Sequence, residues 1–380
     1  MRRLFWKMPR LEDIVRLLVV IGIGSGMGIA RMLWSTMRVV PPSPLLYPLR
    51  EFAGWPETTF LLLLGTLFWV VADRRPRAVI AFLAVAGVSV LFDQTRLQPW
   101  LYQYALLLLC LTIPRSFKNE ALNGCRLVLA ATYIWSGVSK IVPEFHEYVF
   151  PAFASGLPFS SFLSEHALVF ASFSILLEIG IGAGLLFRRT RRFAVASTVL
   201  LHLTVLAAFG PSGLHWNMVV WPWNALLVVL VCLLFWNAKS TALQILIGKS
   251  RRRIVVTLLA GILPLLGLLG LWDSYLSFSL YSGNLDEAVM DISAEHLSLL
   301  PSALPDAKMQ EDGRALVSLQ SWSFAGLNVP AYPAIRSYRS LIAILCEMPP
   351  FIDDLQLHLR TRRTPFASGR TWTETCEDLR

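Results

Sequence analysis

Charge is what this sequence has least of. Only 16% of its 380 residues are Asp, Glu, Lys or Arg, against 55% hydrophobic residues and a mean hydropathy of +0.56. Soluble domains carry more charge than this, so the composition excludes an ordinary soluble domain and points to lipid as the solvent. No close grouping of His, Cys and carboxylates has ligand spacing, so no metal site is visible. The glycines lie within apolar runs, which argues against a phosphate-binding loop. No inverted repeat stands out and polar residues inside the apolar runs are few, which gives a transporter little support. The net charge of +9 does not imply nucleic acid, because the basic residues stand in short clusters between apolar runs.

What is present is a series of apolar stretches. Nine reach a spanning helix's approximate length, at roughly 14–35, 57–72, 78–92, 99–113, 121–142, 166–187, 193–209, 216–236 and 254–272. The thirteen Trp suit membrane–water interfaces. The basic start "MRRLFWKMPR" resembles a signal peptide, but no small-residue cleavage site follows, so it reads as the flank of a retained first helix. With the N-terminus inside, the inner segments hold 18 basic residues and the outer loops only Arg38, Arg50 and Arg96. Pro222 is expected to kink the eighth stretch.

From Asp273 onward the pattern changes. Residues 273–380 contain no spanning stretch and carry 14 acidic against 9 basic residues. "YLSFSLY" (275–281) and "LQLHL" (355–359) alternate like half-buried strands, and "AIRSYRSLIAILC" (334–346) reads as a helix. The expected fold is therefore an all-α polytopic membrane helix bundle of about nine transmembrane helices over 1–272, followed by a small extracytoplasmic α+β domain over 273–380. The N-terminus would be cytoplasmic. Cys346 and Cys376, both in the outer part, are candidates for a disulfide, with two unpaired thiols as the alternative. Cys110, Cys125 and Cys232 fall within helices as buried thiols.

Ionisable residues within apolar runs are costly and each is a functional candidate. Glu178 and His202 stand twelve residues on either side of the centre of the "RRTRR" hairpin, so both lie about 18 Å from the inner surface and a contact between them is feasible. A packing hydrogen bond is the alternative to function. Lys140 closes the fifth stretch in "YIWSGVSKIV", where it is either a snorkelling interfacial lysine or a desolvated base. Gly22/Gly26, Gly24/Gly28 and Gly180/Gly184 read as helix-packing surfaces. The stretch "DQTRLQPWLYQY" (93–104) concentrates Asp93, Gln94, Arg96 and Trp100, either as an interfacial belt or, together with Lys140 and His215, as the lining of one outward-facing pocket.

These segments, in order, resemble the vitamin K-dependent gamma-carboxylases. "YIWSGVSKI" looks like the segment in which a Tyr, a small-Gly pair and a lysine close one helix. "FDQTRLQPWLYQY" is similar to that family's short Asp-containing stretch. "LLEIGIGAGLLFRRTRR" followed by "VLLHL" matches its acidic helix, basic hairpin and His helix. The likeness covers roughly residues 10–272 and extends to the wider HTTM group (horizontally transferred transmembrane domain), with DoxX-like proteins a looser relation. It implies a hydrophobic small-molecule substrate, a quinol of the reduced vitamin K kind, with Lys140 as base, Glu178 and His202 orienting or relaying protons, and Asp93, Gln94, Arg96, Trp100, Tyr133 and His215 around the substrate. The family's catalytic histidine has no counterpart in 93–104, and the 108-residue tail is smaller than the family's outer domain. The implied activity is thus quinol handling, as a carboxylase- or epoxidase-like lyase or an oxidoreductase. A non-enzymatic DoxX-like component, whose outer domain docks an extracytoplasmic protein, is the competing expectation.

Overall fold

The computed structural model describes residues 10–46, 48–49, 56–300 and 307–379. The basic residues Arg2, Arg3, Lys7 and Arg50, used in the charge distribution, and the tail charges Asp306 and Arg380 lie outside the described residues. Helices form at each of the nine apolar stretches. They are α1 (Leu11–Ile29), α2 (Pro56–Ala72), α3 (Pro76–Phe92), α4 (Pro99–Cys110), α5 (Glu120–Ser139), then α6 (Phe150–Ala154) and α7 (Ser160–Glu165) in a connecting segment. They continue with α8 (Ala167–Leu186), α9 (Arg191–Phe209), α10 (Val220–Phe235), α11 (Ala242–Leu246), α12 (Arg251–Val256) and α13 (Leu263–Leu268).

The expected nine-span bundle is not what these helices make. Among the described residues, only α8 and α9 are long and apolar enough to cross a membrane. Proline and polar residues account for the shortfall. Pro99 starts α4 and the "TIPRS" turn follows it, leaving 12 residues, or about 18 Å at 1.5 Å per residue, against a hydrocarbon core of about 30 Å. α2 and α3 have 17 residues each and α10 has 16. α1 and α5 have the length, but Glu12, Asp13 and Arg16 in the first, and Asn123 and Arg126 in the second, lower their apolarity. The last stretch is cut into α12 and α13 by a π-helical segment, Thr257–Ile262, with Pro264 just beyond it. Pro222 makes no mid-helix kink, because α10 begins at Val220 and the proline falls in its first turn.

The polar residues that spoil the spanning pattern tie the bundle together. Arg126 donates to Leu234 O at 2.7 Å and to Asn123 Oδ1 at 2.7 Å, fixing the start of α5 to the end of α10. Arg191 donates to Leu185 O at 2.8 Å at the end of α8 and to Ala238 O at 2.7 Å in the turn beyond α10, satisfying carbonyls left free there.

The C-terminal part is an antiparallel sheet covered by helices. The strands are β1 (Glu287–Ser293), β2 (Lys308–Met309), β3 (Arg314–Ser318), β4 (Gln356–Arg360) and β5 (Thr371–Thr375), in the order β2-β3-β1-β4-β5. Met290 faces Val317 on one side and Leu357 on the other. α14 (Leu319–Leu327), α15 (Ile335–Leu345) and the short α16 (Phe351–Asp354) complete the chain. α15 buries Tyr338, Leu341, Ile342 and Leu345, the 3–4 spacing of an amphipathic helix. The strand expected at 275–281 is absent. That segment is a chain of turns in which Ser277 N and Ser279 N return to the carbonyls of Asp273 and Ser274, with Phe278 and Tyr281 at positive φ. Cys346 and Cys376 form a disulfide, tying the end of α15 to the end of β5.

Helices and sheet share one apolar core. Ser340 Oγ donates to Pro44 O at 2.8 Å, Gln98 Nε2 to Pro330 O at 3.0 Å, and Arg336 joins Asp273 at 2.9 Å and Gln94 Oε1 at 2.9 Å.

Within the sheet domain, Asp354 collects hydrogen bonds from Ser293 N, Ser293 Oγ and Arg314 and lies 2.7 Å from His296 Nδ1. Burial alone would raise its carboxyl; these bonds, His296 first, outweigh it and hold it down to about 2. A carboxylate depressed below its unfolded value of about 3.9 contributes stability that is complete above pH ~4 and lost as pH falls through ~2. Chemical denaturation between pH 5 and pH 2 should therefore show the sheet domain weakening across that window, and Asp354→Asn should flatten the dependence.

Candidate active site

The site begins with a close approach of two helices. A Cβ added at Gly137 on α5 would lie 2.7 Å from Ile179 Cγ1 and 3.1 Å from both Glu178 Cβ and Ile175 O on α8. One added at Gly182 on α8 would lie 2.7 Å from Ala130 O of α5. Only glycine allows this separation. Gly180, read as a packing residue, meets nothing within 4 Å; Gly184 faces Ala194 of α9 at 3.0 Å. In the first helix Gly22 and Gly26 receive the rings of Tyr104 and Trp100, while Gly24 and Gly28 face open space.

Because α5 and α8 touch, Lys140, which caps the C-terminus of α5, reaches Glu178. Lys140 Nζ donates to Glu178 Oε2 at 2.8 Å, Oε1 at 3.0 Å and Ser136 Oγ at 2.7 Å. The lysine is 5% exposed, so it does not snorkel to water. Beside it runs a second chain of bonds. Tyr133 Oη lies 2.6 Å from His202 Nε2, and His202 Nδ1 lies 2.7 Å from Asn224 Oδ1. Asn224 Nδ2 donates to Val220 O at 2.7 Å, which orients the amide. With the amide so oriented, Nδ1 carries the histidine proton and Nε2 accepts from the Tyr133 hydroxyl. Glu178 and His202 therefore sit on different partners, and the feasible contact between them is not made.

Both sets of residues line one cavity of about 670 Å³. Its remaining walls are largely apolar, with Phe145, Phe153, Leu201, Phe209, Trp216 and Trp223 among them. Trp223 Nε1 is held by Gln103 Oε1 at 2.8 Å, and Gln103 Nε2 donates to Thr132 Oγ1 at 2.8 Å, so α4, α5 and α10 set the far wall. The size suits a ring system with a short chain, and the polar groups converge on one side.

The other residues singled out in the sequence lie elsewhere. Asp93 is fully buried and accepts from Arg38 at 2.5 Å, Ser43 N at 3.1 Å and Thr95 N at 3.1 Å, with Arg96 Nε 3.6 Å away. Burial would raise its carboxyl, but Arg38 and Arg96 more than offset this and keep it low. Arg96 stacks on Trp34 at 4.8 Å, and Gln94 binds Ser43 O and Arg336. Together they latch the segment after α1 and the sheet domain to the start of α4. Trp100 lines an adjoining, smaller cavity of about 230 Å³ that shares Trp216, Trp223, Leu280 and Tyr281 with the Lys140 cavity, and His215 packs edge-on against Trp221. Neither Asp93, Gln94, Arg96, Trp100 nor His215 lines the Lys140 cavity. Asn224, Thr132 and Gln103 were not singled out; a lone Asn in the apolar run 220–235 was the available signal.

Comparison with known proteins gives no match to a family model, to a curated protein or to a solved structure. The geometry describes a mostly apolar cavity with a buried ion pair and a tyrosine–histidine chain in its wall.

Gly137→Ala should force α5 and α8 apart and cost about 1–3 kcal/mol. Gly180→Ala, which adds a methyl group in open space, should be near neutral. Thermal unfolding of the two purified variants compares them directly.

Proposed function

We propose that this chain is a membrane-embedded enzyme that binds a lipid-soluble molecule with an acidic hydroxyl, of the reduced-quinone class, beside Lys140 and Glu178 and removes its proton. The observation that carries this reading is the Lys140–Glu178 pair in the wall of an otherwise apolar cavity. A buried ion pair adds little stability over apolar packing, and ionisable groups among apolar helices are functional by default.

The pairing refines the expected role of the lysine. A paired Lys140 is an ammonium whose protons point at Ser136 and Glu178, so it has no lone pair to offer. The lone pairs belong to the Glu178 carboxylate. A hydroxyl entering beside the pair gives its proton to Glu178, the O–H electrons stay on the substrate oxygen, and the Lys140 ammonium faces the oxyanion so formed. Tyr133, oriented by His202 and Asn224, offers the cavity a second polar contact. The resemblance to the gamma-carboxylases supports the quinol class. Without their histidine in 93–104, glutamate carboxylation is not assigned.

Membrane embedding is supported by the surface. α8 presents Leu168, Val169, Phe173 and Leu176 outward, α9 presents Phe193, Leu200 and Leu203, and α2 presents Leu61, Leu62 and Phe68. The α8–α9 turn carries Arg188, Arg189, Arg191 and Arg192, which suits the cytoplasmic side. Arg10, at the start of α1, lies at the end of its helix away from Ile29, whose carbonyl meets Asn328 of the sheet domain at 3.5 Å. At the other end of α9, Phe209 packs on Tyr281, and Trp216 packs on Phe324 of the sheet domain. The sheet domain then faces the outside, where its disulfide would persist.

One observation favours a second reading, a non-catalytic membrane component. The polar groups of the site satisfy one another and need no ligand. Consumption of a reduced quinone by membranes containing the protein separates the two. Glu178→Gln and Lys140→Met should each lower it by about 100-fold or more, the scale of a lost acid–base group. A Lys140→Met/Glu178→Met double variant, which leaves no unpaired charge, should fold and be equally inactive. Wild-type consumption in all three would establish the non-catalytic reading.

A further inference from the structure

A second cavity lies on the other side of α5, with a different character. It encloses about 440 Å³ where the end of α5 meets α13 and the loop between β4 and β5. Trp135, Ile141 and Leu268 belong to its apolar lining, and Glu144, Arg362 and Arg363 to its charged lining. Ile141 is largely exposed beside it, as are Ile262, Leu265 and Leu271 around α13. The cavity thus combines a charged lining with an apolar lining that lies beside an exposed apolar surface.

The charged lining is half satisfied. Glu144 is 7% exposed, and its Oε1 meets Arg363 Nε at 3.1 Å. Its Oε2 is buried with no hydrogen-bond partner. Gly283 at φ +78° brings the outer-domain loop against the same side chain, so that an added Cβ would lie 3.1 Å from Glu144 Cβ. A buried carboxylate oxygen without a donor is costly, and a donor carrying positive charge answers it best. Arg362 is already spent on Ser274 Oγ and Trp272 O. Arg363 meets Glu144 through its Nε, its two Nη groups make no hydrogen bond or ion pair among the described residues, and its side chain is half exposed, which leaves a forked donor for an anion.

We infer that this cavity binds a phospholipid whose headgroup carries both a primary ammonium and a phosphate, the ammonium on Glu144 Oε2 and the phosphate on Arg363, with acyl chains leaving past Ile141 and Leu268. The inference rests on the membrane reading above and is independent of the chemistry assigned to Lys140. A phosphatidylethanolamine headgroup has this chemistry. A phosphatidylcholine headgroup has the phosphate, but its quaternary nitrogen has no N–H to give the buried oxygen.

The test is lipid retention. Full-length protein is exchanged into nanodiscs of equal phosphatidylethanolamine and phosphatidylcholine, extracted in detergent, and its bound lipid measured by mass spectrometry. Wild-type protein should retain phosphatidylethanolamine in roughly tenfold excess or more, the scale of one charge-assisted hydrogen bond. Glu144→Gln should lose the preference between the two lipids. Arg363→Ala, at a half-exposed position where folding is not at risk, should lower retention of both. Equal retention of the two lipids by wild-type protein, or an unchanged preference in Glu144→Gln, would overturn the proposal while leaving the membrane reading intact. Absence of any retained lipid would overturn both. Displacement of the lipid by free phosphoethanolamine at equal concentration would show a soluble headgroup compound as the ligand and overturn the lipid assignment.

Discussion

The close approach of α5 and α8 is the constraint on which the rest of the site depends. Two glycines, Gly137 and Gly182, remove the side chains that would keep the helices apart. The contact brings the last residue of the α5 turn, Lys140, onto Glu178. With the helices one methyl group further apart, the ammonium would face a cavity without its counter-charge, a costly arrangement among apolar walls. The same helix carries Tyr133 to His202 and Thr132 to Gln103, so α5 links the ion pair, the tyrosine–histidine chain and the far wall of the cavity.

The sheet domain takes part in this arrangement. Leu280 and Tyr281, on the turn-rich segment that leads into β1, close the cavity on the side of the sheet domain. Asn217 donates to Tyr281 Oη at 2.7 Å, fixing that wall to the segment between α9 and α10. Asp93, Arg38 and Arg96 form the counterpart on the bundle side, a buried charge cluster that orders the loops carrying the domain. Asp93, Gln94 and Arg96, which looked like substrate contacts, are therefore part of the joint between two structural parts, and the cavity is shaped by both.

The sequence exposed some of this and concealed the rest. Helix positions were legible because each apolar stretch is bounded by proline, glycine or charge. The number of crossings was not, since hydropathy averages over the prolines at 99 and 264 and the buried Asn123 and Arg126 that shorten or polarise individual helices. Lys140, Glu178 and His202 could be named because ionisable residues stand out in apolar runs, and Tyr133 through the resemblance of "YIWSGVSKI" to the gamma-carboxylase segment. Their partners could not, because depth along a helix says nothing of which face a residue occupies; Glu178 and His202 share a depth and still meet different neighbours. The stretch 93–104 misled because a cluster of Asp, Gln, Arg and Trp looks alike whether it binds a ligand or another part of the chain. The segment 275–281 alternated like a strand, yet positive φ at Phe278 and Tyr281 makes it a series of turns, which alternation alone does not reveal.

The central claim is that Glu178, held by Lys140, receives a proton from a hydroxyl bound in the cavity. Infrared difference spectroscopy on the purified protein reads that event directly. Addition of a reduced quinone should produce the C=O stretch of a protonated carboxylic acid together with loss of a carboxylate band, and both changes should vanish in Glu178→Gln. A difference spectrum with no new carboxylic acid, or one that is unchanged in Glu178→Gln, would contradict the account.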